Sequence, residues 1–394
     1  MPDSLNSLIE LELLRLDQSH LLRQRRVARP IDAAHVEIDG RVCVNFSSNN
    51  YLGLTHHPRL AGAMRKATET LGAGAGAAPL ISGYSPAHAA AESAIARWKE
   101  TESAVLLPSG YQANLAAIQT LAALGKSQKG HSVRFLIDKL AHASLLDAVR
   151  AADAAWRVFP HNGIEKLQRL LGEQEENQLQ VVVTESIFSM DGDAADLAAL
   201  DRLKKEQPFV LVLDEAHASG VYGRNGAGLA AELGFGEIVD IFIVTFSKAA
   251  GCVGGAVCGS EKFCQAILNL GRAYLFSTSV PPAIAAAIEQ AIGVMRDEPQ
   301  RQRRLRELSK SLRTKLREGG VSVPEGDSPI VPVIVGSESA AMDFSRRLLE
   351  EGLLVSAVRP PTVPRGTSRL RIALSCEHSD AEIAQLASGV VRGN

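Results

Sequence analysis

The 394 residues carry 42 Lys+Arg against 44 Asp+Glu, a formal net charge of −2, with 46% hydrophobic and 22% charged residues. A chain of this length accommodates two or three domains of roughly 100–200 residues, and its balanced charge gives no reason to expect a polyanionic partner, so nucleic acid is set aside. The most apolar stretches, such as that around Pro281-Pro282, are broken by Pro, Gly or Glu well short of about 18 residues, and Asp3, Glu10 and Glu12 stand where a secretory signal is basic, so neither a membrane span nor a leader is expected.

In chain order, Leu5, Leu8, Ile9, Leu13 and Leu16 recur at helical spacing and predict an amphipathic N-terminal arm that packs on the body or on a second subunit. Residues 41–46 read as a short strand. From about residue 100, apolar runs at Ala104–Leu107, Val133–Ile137, Val181–Val183, Phe209–Leu213 and Ile241–Thr245 alternate with helical segments. Short runs without polar alternation fit strands buried on both faces, and their alternation with helices predicts a parallel α/β sheet. After about residue 285 the texture changes: helical sequence over 301–319, strand-like Ile330–Val335, a helix near 338–351 and strand-like Leu370–Leu374 read as a smaller α+β domain. Cys43, Cys252, Cys258, Cys264 and Cys376 are odd in number and lack a CxxC pair. They read as buried small hydrophobes in a reducing compartment, so the cytosol is expected and a metal site is not.

In open α/β sheets, ligands bind at the carboxyl ends of the strands. Asp138 follows one apolar run, with His142 four residues on; Glu185 closes the next, with Ser189 beyond; Asp214 closes the third, followed by Glu215, Ala216 and His217. Thr245, Ser247 and Lys248 close the fourth and lead into Gly251–Gly255. Taken singly, such an Asp is more often a helix cap or turn residue, and such a His or Lys a satisfied or solvated side chain. Jointly, these ionisable groups converge on one edge of one sheet.

Three apparent motifs fail on context. Asp214-Glu215-Ala216-His217 spells the acidic box of a helicase-type ATPase, but the P-loop glycine that Gly125-Lys126-Ser127 would need is replaced by Thr120. Gly72–Ala77 has the form GxGxx[GA] but follows a helical segment (Met64–Leu71) instead of a strand. No GxSxG elbow is present to anchor a hydrolase triad.

Together, Asn49-Asn50-Tyr51-Leu52-Gly53-Leu54, Asp214–His217 and Thr245-Phe246-Ser247-Lys248-Ala249 resemble the α-oxoamine synthases, pyridoxal 5'-phosphate (PLP) enzymes of the aspartate aminotransferase-like fold, fold type I. Asp138–Leu146, Thr184–Asp193, Asp214–Gly228 and Arg359–Ile372 extend the resemblance over nearly the whole chain. It implies an α/β architecture with a mainly parallel central sheet, divided into an N-terminal arm (1–45), a large PLP-binding domain (46–285) and a small C-terminal α+β domain (286–394). It also implies a homodimer that shares its active sites. The Arg359–Ile372 stretch favours the member that joins L-alanine to a pimeloyl thioester. Members that use glycine with acetyl-, succinyl- or long-chain acyl-CoA are the nearest alternatives, and a catalytically silent subunit is the alternative of another class.

The resemblance assigns roles residue by residue. Lys248 is the Schiff-base lysine and α-proton base, Asp214 the partner of the pyridine nitrogen, His217 the donor to the ring's phenolic oxygen, and His142 the group stacked on the ring. The phosphate falls to the backbone amides of Gly110 and Tyr111 at a helix N-terminus, where anions are favoured, with hydroxyl donors from Thr245 and Ser247. Glu185 and Ser189 complete the cofactor's surroundings, and Ser277-Thr278 reach the partner subunit's phosphate. Arg371 matches the arginine that holds the amino-acid carboxylate, assisted by Asn49, while Arg23, Arg359 and Thr362 match positions on the acyl-thioester side. Two departures stand out: Pro79 occupies the place of an Arg or His near the glycine-rich stretch, which bears on acyl chain length, and Phe276 replaces a Tyr.

Overall fold

A computed structural model describes residues 4–127 and 129–393. The chain divides into two compact units: one formed by the chain up to Asn49, Met190–Gly192 and the chain from Arg304 onward, the other by Asn50–Ser189 and Asp193–Arg303.

The larger unit is built on a seven-stranded sheet. Its strands lie in the order Ser103–Leu107, Gly255–Gly259, Ile241–Thr245, Val210–Asp214, Gln178–Glu185, Ser132–Asp138 and Ala155–Phe159. Gly255–Gly259 runs antiparallel to both its neighbours; the remaining pairs are parallel. Val181, Val182 and Val183 are wholly buried, as a strand covered on both faces requires. Helix Gly110–Ser127 contributes Ala113, Ala117 and Ile118 to the core that Val105, Phe135, Val183, Val212 and Ile243 supply from the sheet. The sheet therefore is mainly parallel, and Thr245, Asp214, Glu185 and Asp138 are the last residues of four strands that are neighbours in it.

The smaller unit holds a four-stranded sheet, in the order Ala28–Pro30, His35–Ile38, Arg41–Asn45 and Leu353–Leu354, and a three-stranded antiparallel sheet of Ile330–Gly336, Ser368–Ala373 and Ser356–Val358. Helices Glu338–Glu350 and Asp380–Gly393 belong to it.

Three features differ from the sequence reading. The expected boundary at 285/286 falls inside helix Pro282–Asp297, which packs on helices Pro58–Leu71 and Pro86–Lys99, so the larger unit continues to Arg303. The arm does form a helix, Leu5–Gln18, but it buries none of its residues, and Leu5, Leu8 and Leu14 are more than half exposed, so packing on the body of its own chain is not seen. Strands Ala155–Phe159 and Gly255–Gly259 escaped the apolar-run criterion. The first is an edge strand interrupted by Arg157, and the second is a three-residue Ala-Val-Cys run between glycines.

Two charged clusters fix the loops at the strand ends. The first is a buried ion pair between Lys99, at the end of helix Pro86–Lys99, and Glu215, next to Asp214. The Lys99 ammonium also donates to the Ala227 carbonyl and lies 4.5 Å from the centre of the Phe242 ring. Glu215 accepts from the Ala230 N–H at 2.9 Å, and its own N–H donates to the Ile243 carbonyl at 2.8 Å. Gly228 sits at φ +118, and a Cβ there would fall 2.0 Å from the Glu215 carboxylate, so the loop 224–230 wraps the acid too closely for any side chain. In the second cluster, His161 bridges Asp138 at 3.1 Å and Asp193 at 2.7 Å, edge-on to the Phe188 ring. Asp138 also accepts from the Leu140 and Asn162 N–H groups, so the bridge joins the loop that leads to His142 with the loop that leaves Ser189.

Two outcomes follow from these clusters. Lys99→Met leaves the Glu215 carboxylate buried without its cation and should lower the unfolding free energy by about 3–5 kcal/mol. Urea denaturation reads this, and a loss below about 0.5 kcal/mol, the level of an ordinary surface change, would contradict the pairing. For His161, burial favours the neutral ring, but the two carboxylates outweigh it and raise its pKa to about 10. The folded state thus binds this proton more tightly than the unfolded chain, whose imidazole titrates near 6.5. The stabilisation is complete below about pH 6.5 and is lost as the pH rises through about 10. The stability difference between wild type and His161→Gln should narrow over that window; a difference that does not change with pH would rule the charged bridge out.

Candidate active site

The carboxyl edge of the large sheet borders a cavity of ≈ 200 Å³. Asp214, His217, Glu185 and His142 line it from the loops after three strands, Thr245, Ser247 and Lys248 from the turn after the fourth, and Gly110 and Tyr111 from a helix start.

That helix, Gly110–Ser127, begins where strand Ser103–Leu107 ends in Pro108-Ser109. Ser109 caps it: its hydroxyl accepts from the Gln112 N–H at 3.2 Å and its carbonyl from the Ala113 N–H at 3.0 Å. The N–H groups of Gly110 and Tyr111 have no acceptor within the helix, so the positive end of the helix dipole lies at the cavity. The close fit depends on Gly255, where a Cβ would lie 2.5 Å from the Gly110 nitrogen.

Asp214 is a buried carboxylate held from two sides. One oxygen accepts from the Ala216 N–H at 2.9 Å, the other from the Asn114 amide at 3.0 Å. His217, three residues on, meets the buried Tyr51 hydroxyl at 2.7 Å through Nδ1. His142 caps helix Ala143–Ala151, and its backbone N–H donates to Glu185 at 2.5 Å. Burial, together with the adjacent Asp214 charge, pushes the Glu185 carboxyl well above the usual carboxylate range. The His142 ring is open to the cavity, yet the surrounding protein disfavours its charged form and holds its pKa below the ordinary imidazole value; Asp214 opposes this and Lys248 reinforces it.

The turn that carries Lys248 closes with the Gly251 N–H donating to the Lys248 carbonyl at 3.0 Å, and Gly251 lies at φ +64, where a Cβ would come 2.5 Å from the Thr55 nitrogen. Thr245 behaves differently from expectation. Its hydroxyl donates to the Gly254 carbonyl at 3.1 Å and lies 2.9 Å from the Ser247 hydroxyl. A hydroxyl has one proton, so Thr245 is left as an acceptor toward Ser247 and is not a donor to a ligand in this arrangement.

The remaining expected site residues fall elsewhere. Ser189 is buried in the larger unit but does not line this cavity. Ser277 and Thr278 line a separate small cavity with Tyr84, His88 and Glu92, and the Ser277 hydroxyl accepts from the Gln112 amide at 3.1 Å. In the smaller unit, Arg371 donates to the Asn49 side-chain oxygen at 3.1 Å. Also there, Arg23 donates to the Pro360 carbonyl at 3.1 Å, Arg359 to the His20 carbonyl, and the Thr362 N–H to the Arg359 carbonyl at 3.1 Å. Burial and the neighbouring Arg23 charge lower the pKa of Arg359, so two cations are gathered in one place.

Three contributors were missed from the sequence. Asn114 sits in an apolar helical run, Ala113-Asn114-Leu115-Ala116-Ala117, and a buried amide there needs partners, which was the available signal. Ser144 and Tyr51 lie within the stretches that carry the family resemblance, where nothing local marks either as a site residue.

The donor set is polarised. A carboxylate suits a cationic heteroatom, a helix N-terminus suits an anion, and the Lys248 amine lines the same cavity. Such a set fits a cofactor with a basic ring nitrogen and a phosphate. No group of three or more His, Cys, Asp or Glu side chains placed to hold a metal occurs among the described residues.

Comparison with known proteins agrees with this geometry. The family model for aminotransferase class I and II matches residues 41–390. The 8-amino-7-oxononanoate synthase of Geobacter sulfurreducens is 38% identical, the match covering 97% of this chain and 96% of that protein. A high-resolution structure of SPT with PLP superposes with a TM-score of 0.91 at 29% identity, covering 98% of this chain and 96% of that one. The 8-amino-7-oxononanoate synthase of Francisella tularensis superposes with a TM-score of 0.75 at 25% identity, covering 89% and 97%. The chain belongs to the class I and II aminotransferase family, in the branch of the 8-amino-7-oxononanoate synthases.

Proposed function

We propose that the protein is a PLP-dependent acyltransferase that condenses L-alanine with a pimeloyl thioester, on CoA or a carrier protein, to give 8-amino-7-oxononanoate, the free thiol carrier and CO2, a step of biotin biosynthesis. The observation that carries the reading is the convergence of Asp214, Lys248 and the Gly110 helix start on one cavity. The 38% identity to a synthase of that name supports this reaction over the others of the family.

The residues present fit the cofactor on their chemistry: an anion for a protonated ring nitrogen, free amides for a phosphate and an amine for an aldehyde. When bound, PLP supplies an electron sink for the carbon that bears the amino group. Asp214 would keep the ring nitrogen protonated, because an anion favours the charged form. Gly110 and Tyr111 would hold the phosphate through their N–H groups, with Ser247 on the same cavity. His217 would donate to the ring oxygen, and His142 would contact the ring. Lys248 Nζ would hold the aldehyde, and as the amine in the cavity it would take up the alanine α-proton and return one to the product. A free lysine titrates near 10.4, so the neighbouring groups must favour its neutral form for that step. Arg371, with Asn49, receives the amino-acid carboxylate as a planar two-pronged donor. Arg23, Arg359 and Thr362 take the acyl-thioester side, Glu185 completes the lining of the cavity, and Ser277 and Thr278, in their separate cavity, serve the partner subunit's phosphate.

We further read the protein as a cytosolic homodimer with shared sites. Leu5, Leu8 and Leu14 of the first helix, together with Ile81 and Phe276, stay exposed on the single chain, which supports a second copy. Among the described residues no helix is long and apolar enough to cross a membrane.

Side-by-side assays test the substrates. Alanine with pimeloyl-CoA should be turned over best. Preference for glycine with acetyl-CoA, or for serine with a palmitoyl thioester, would overturn the substrate assignment. Lys248→Ala should abolish turnover, by at least about 10³-fold on the scale of a lost acid–base group; activity near wild type would remove Lys248 from its role.

A further inference from the structure

Between the two sides of the cavity runs a chain of hydrogen bonds that the proposed reaction does not require. Asn114 Nδ2 lies 3.0 Å from Asp214 Oδ2 and 2.9 Å from Ser144 Oγ. Ser144 Oγ lies 2.7 Å from His142 Nδ1, and the Ser144 backbone N–H also points at that Nδ1, at 3.2 Å.

The direction of every bond in this chain is determined. An ionised carboxylate only accepts, so the Asn114 amide must turn its NH2 toward Asp214; the reverse orientation would set oxygen against oxygen. The same NH2 donates to Ser144 Oγ. The backbone N–H of Ser144 only donates, so His142 Nδ1 must be an acceptor and carries no proton. The Ser144 hydroxyl is therefore free to give its one proton to Nδ1 as well. The other end of Asn114 bears out the bias: its Oδ1 is buried and has no hydrogen-bond partner among the described residues, so the side chain is positioned for its donors.

We propose that Asn114 and Ser144 are positioning residues that couple Asp214 to His142 and lock His142 as the neutral tautomer with its proton on Nε2. His142 then offers the cavity a hydrogen-bond donor and no basic nitrogen, which leaves Lys248 as the group that takes up a proton there. The downward shift of the His142 pKa agrees with a ring held neutral. The charged groups that act on His142 are Asp214, Asp147 and Lys248, with Glu185 on its backbone N–H. That His142 covers a PLP ring rests on the proposed function; its tautomer does not, so the two can fail separately.

The test is nitrogen NMR of the full-length protein labelled with ¹⁵N-histidine, recorded with and without added PLP, with the His142 signals assigned through His142→Gln. In wild type at neutral pH, Nε2 should be protonated and Nδ1 bare, with or without PLP. Ser144→Ala keeps the backbone N–H but loses the hydroxyl donor, so Nδ1 should stay bare while its signal shifts and the titration midpoint rises. Ser144→Thr, which keeps the hydroxyl, should restore the wild-type pattern, and Asn114→Leu should shift it in the same direction as Ser144→Ala. The other histidine signals report whether each variant is folded. A wild-type His142 with its proton on Nδ1 would overturn the proposal without recourse to any variant. A titration midpoint unchanged in a folded Ser144→Ala or Asn114→Leu protein would likewise overturn it.

Discussion

A carboxylate buried at the end of a central strand is costly unless its charge is answered, and Asp214 is such a group. Its two oxygens take one N–H from the backbone of Ala216 and one from the amide of Asn114. These hydrogen bonds fix its direction, but neither neutralises it. In the proposed function a cationic ring nitrogen would answer that charge, and this acid is the one on which the rest of that reading depends. The residue after it in the chain is also a buried acid, but Glu215 is answered within the protein by Lys99. Adjacent carboxylates thus face different surroundings: Glu215 is paired with Lys99 and anchors the loop, while Asp214 lines the cavity.

The fold supplies the rest by placing several chain ends on one edge. Four neighbouring parallel strands end together, and the antiparallel strand Gly255–Gly259 lets helix Gly110–Ser127 start beside them. Gly255 sets the closeness of that approach. The His161 bridge between Asp138 and Asp193 then ties two of the strand-end loops together, so that side chains from separate strands keep one geometry.

Much of this was legible in the sequence. Apolar runs located the buried strands, because strands covered on both faces have no polar alternation to hide them. The residues that close those runs gave the edge on which Asp214, His217, Glu185 and Lys248 meet. Edge and glycine-bounded strands were not legible, since Ala155–Phe159 carries Arg157 and Gly255–Gly259 is too short to stand out. Asn114, Ser144 and Tyr51 were overlooked because their parts are set by tertiary hydrogen bonds between elements distant in sequence. Thr245 was identified as lining the site, but its proton goes to a backbone carbonyl that only the folded turn brings near. The division of the chain was also hidden, because a helix that crosses the expected boundary reads as ordinary amphipathic sequence.

The central claim is that one amine, that of Lys248, carries the cofactor opposite the Asp214 anion. Borohydride reduction of the purified, PLP-loaded protein followed by peptide mass mapping tests it most directly. The account predicts loss of the yellow absorbance and added mass on the peptide that contains Lys248, at that lysine alone. Added mass at another lysine, or none at Lys248 in protein that holds PLP, would contradict it.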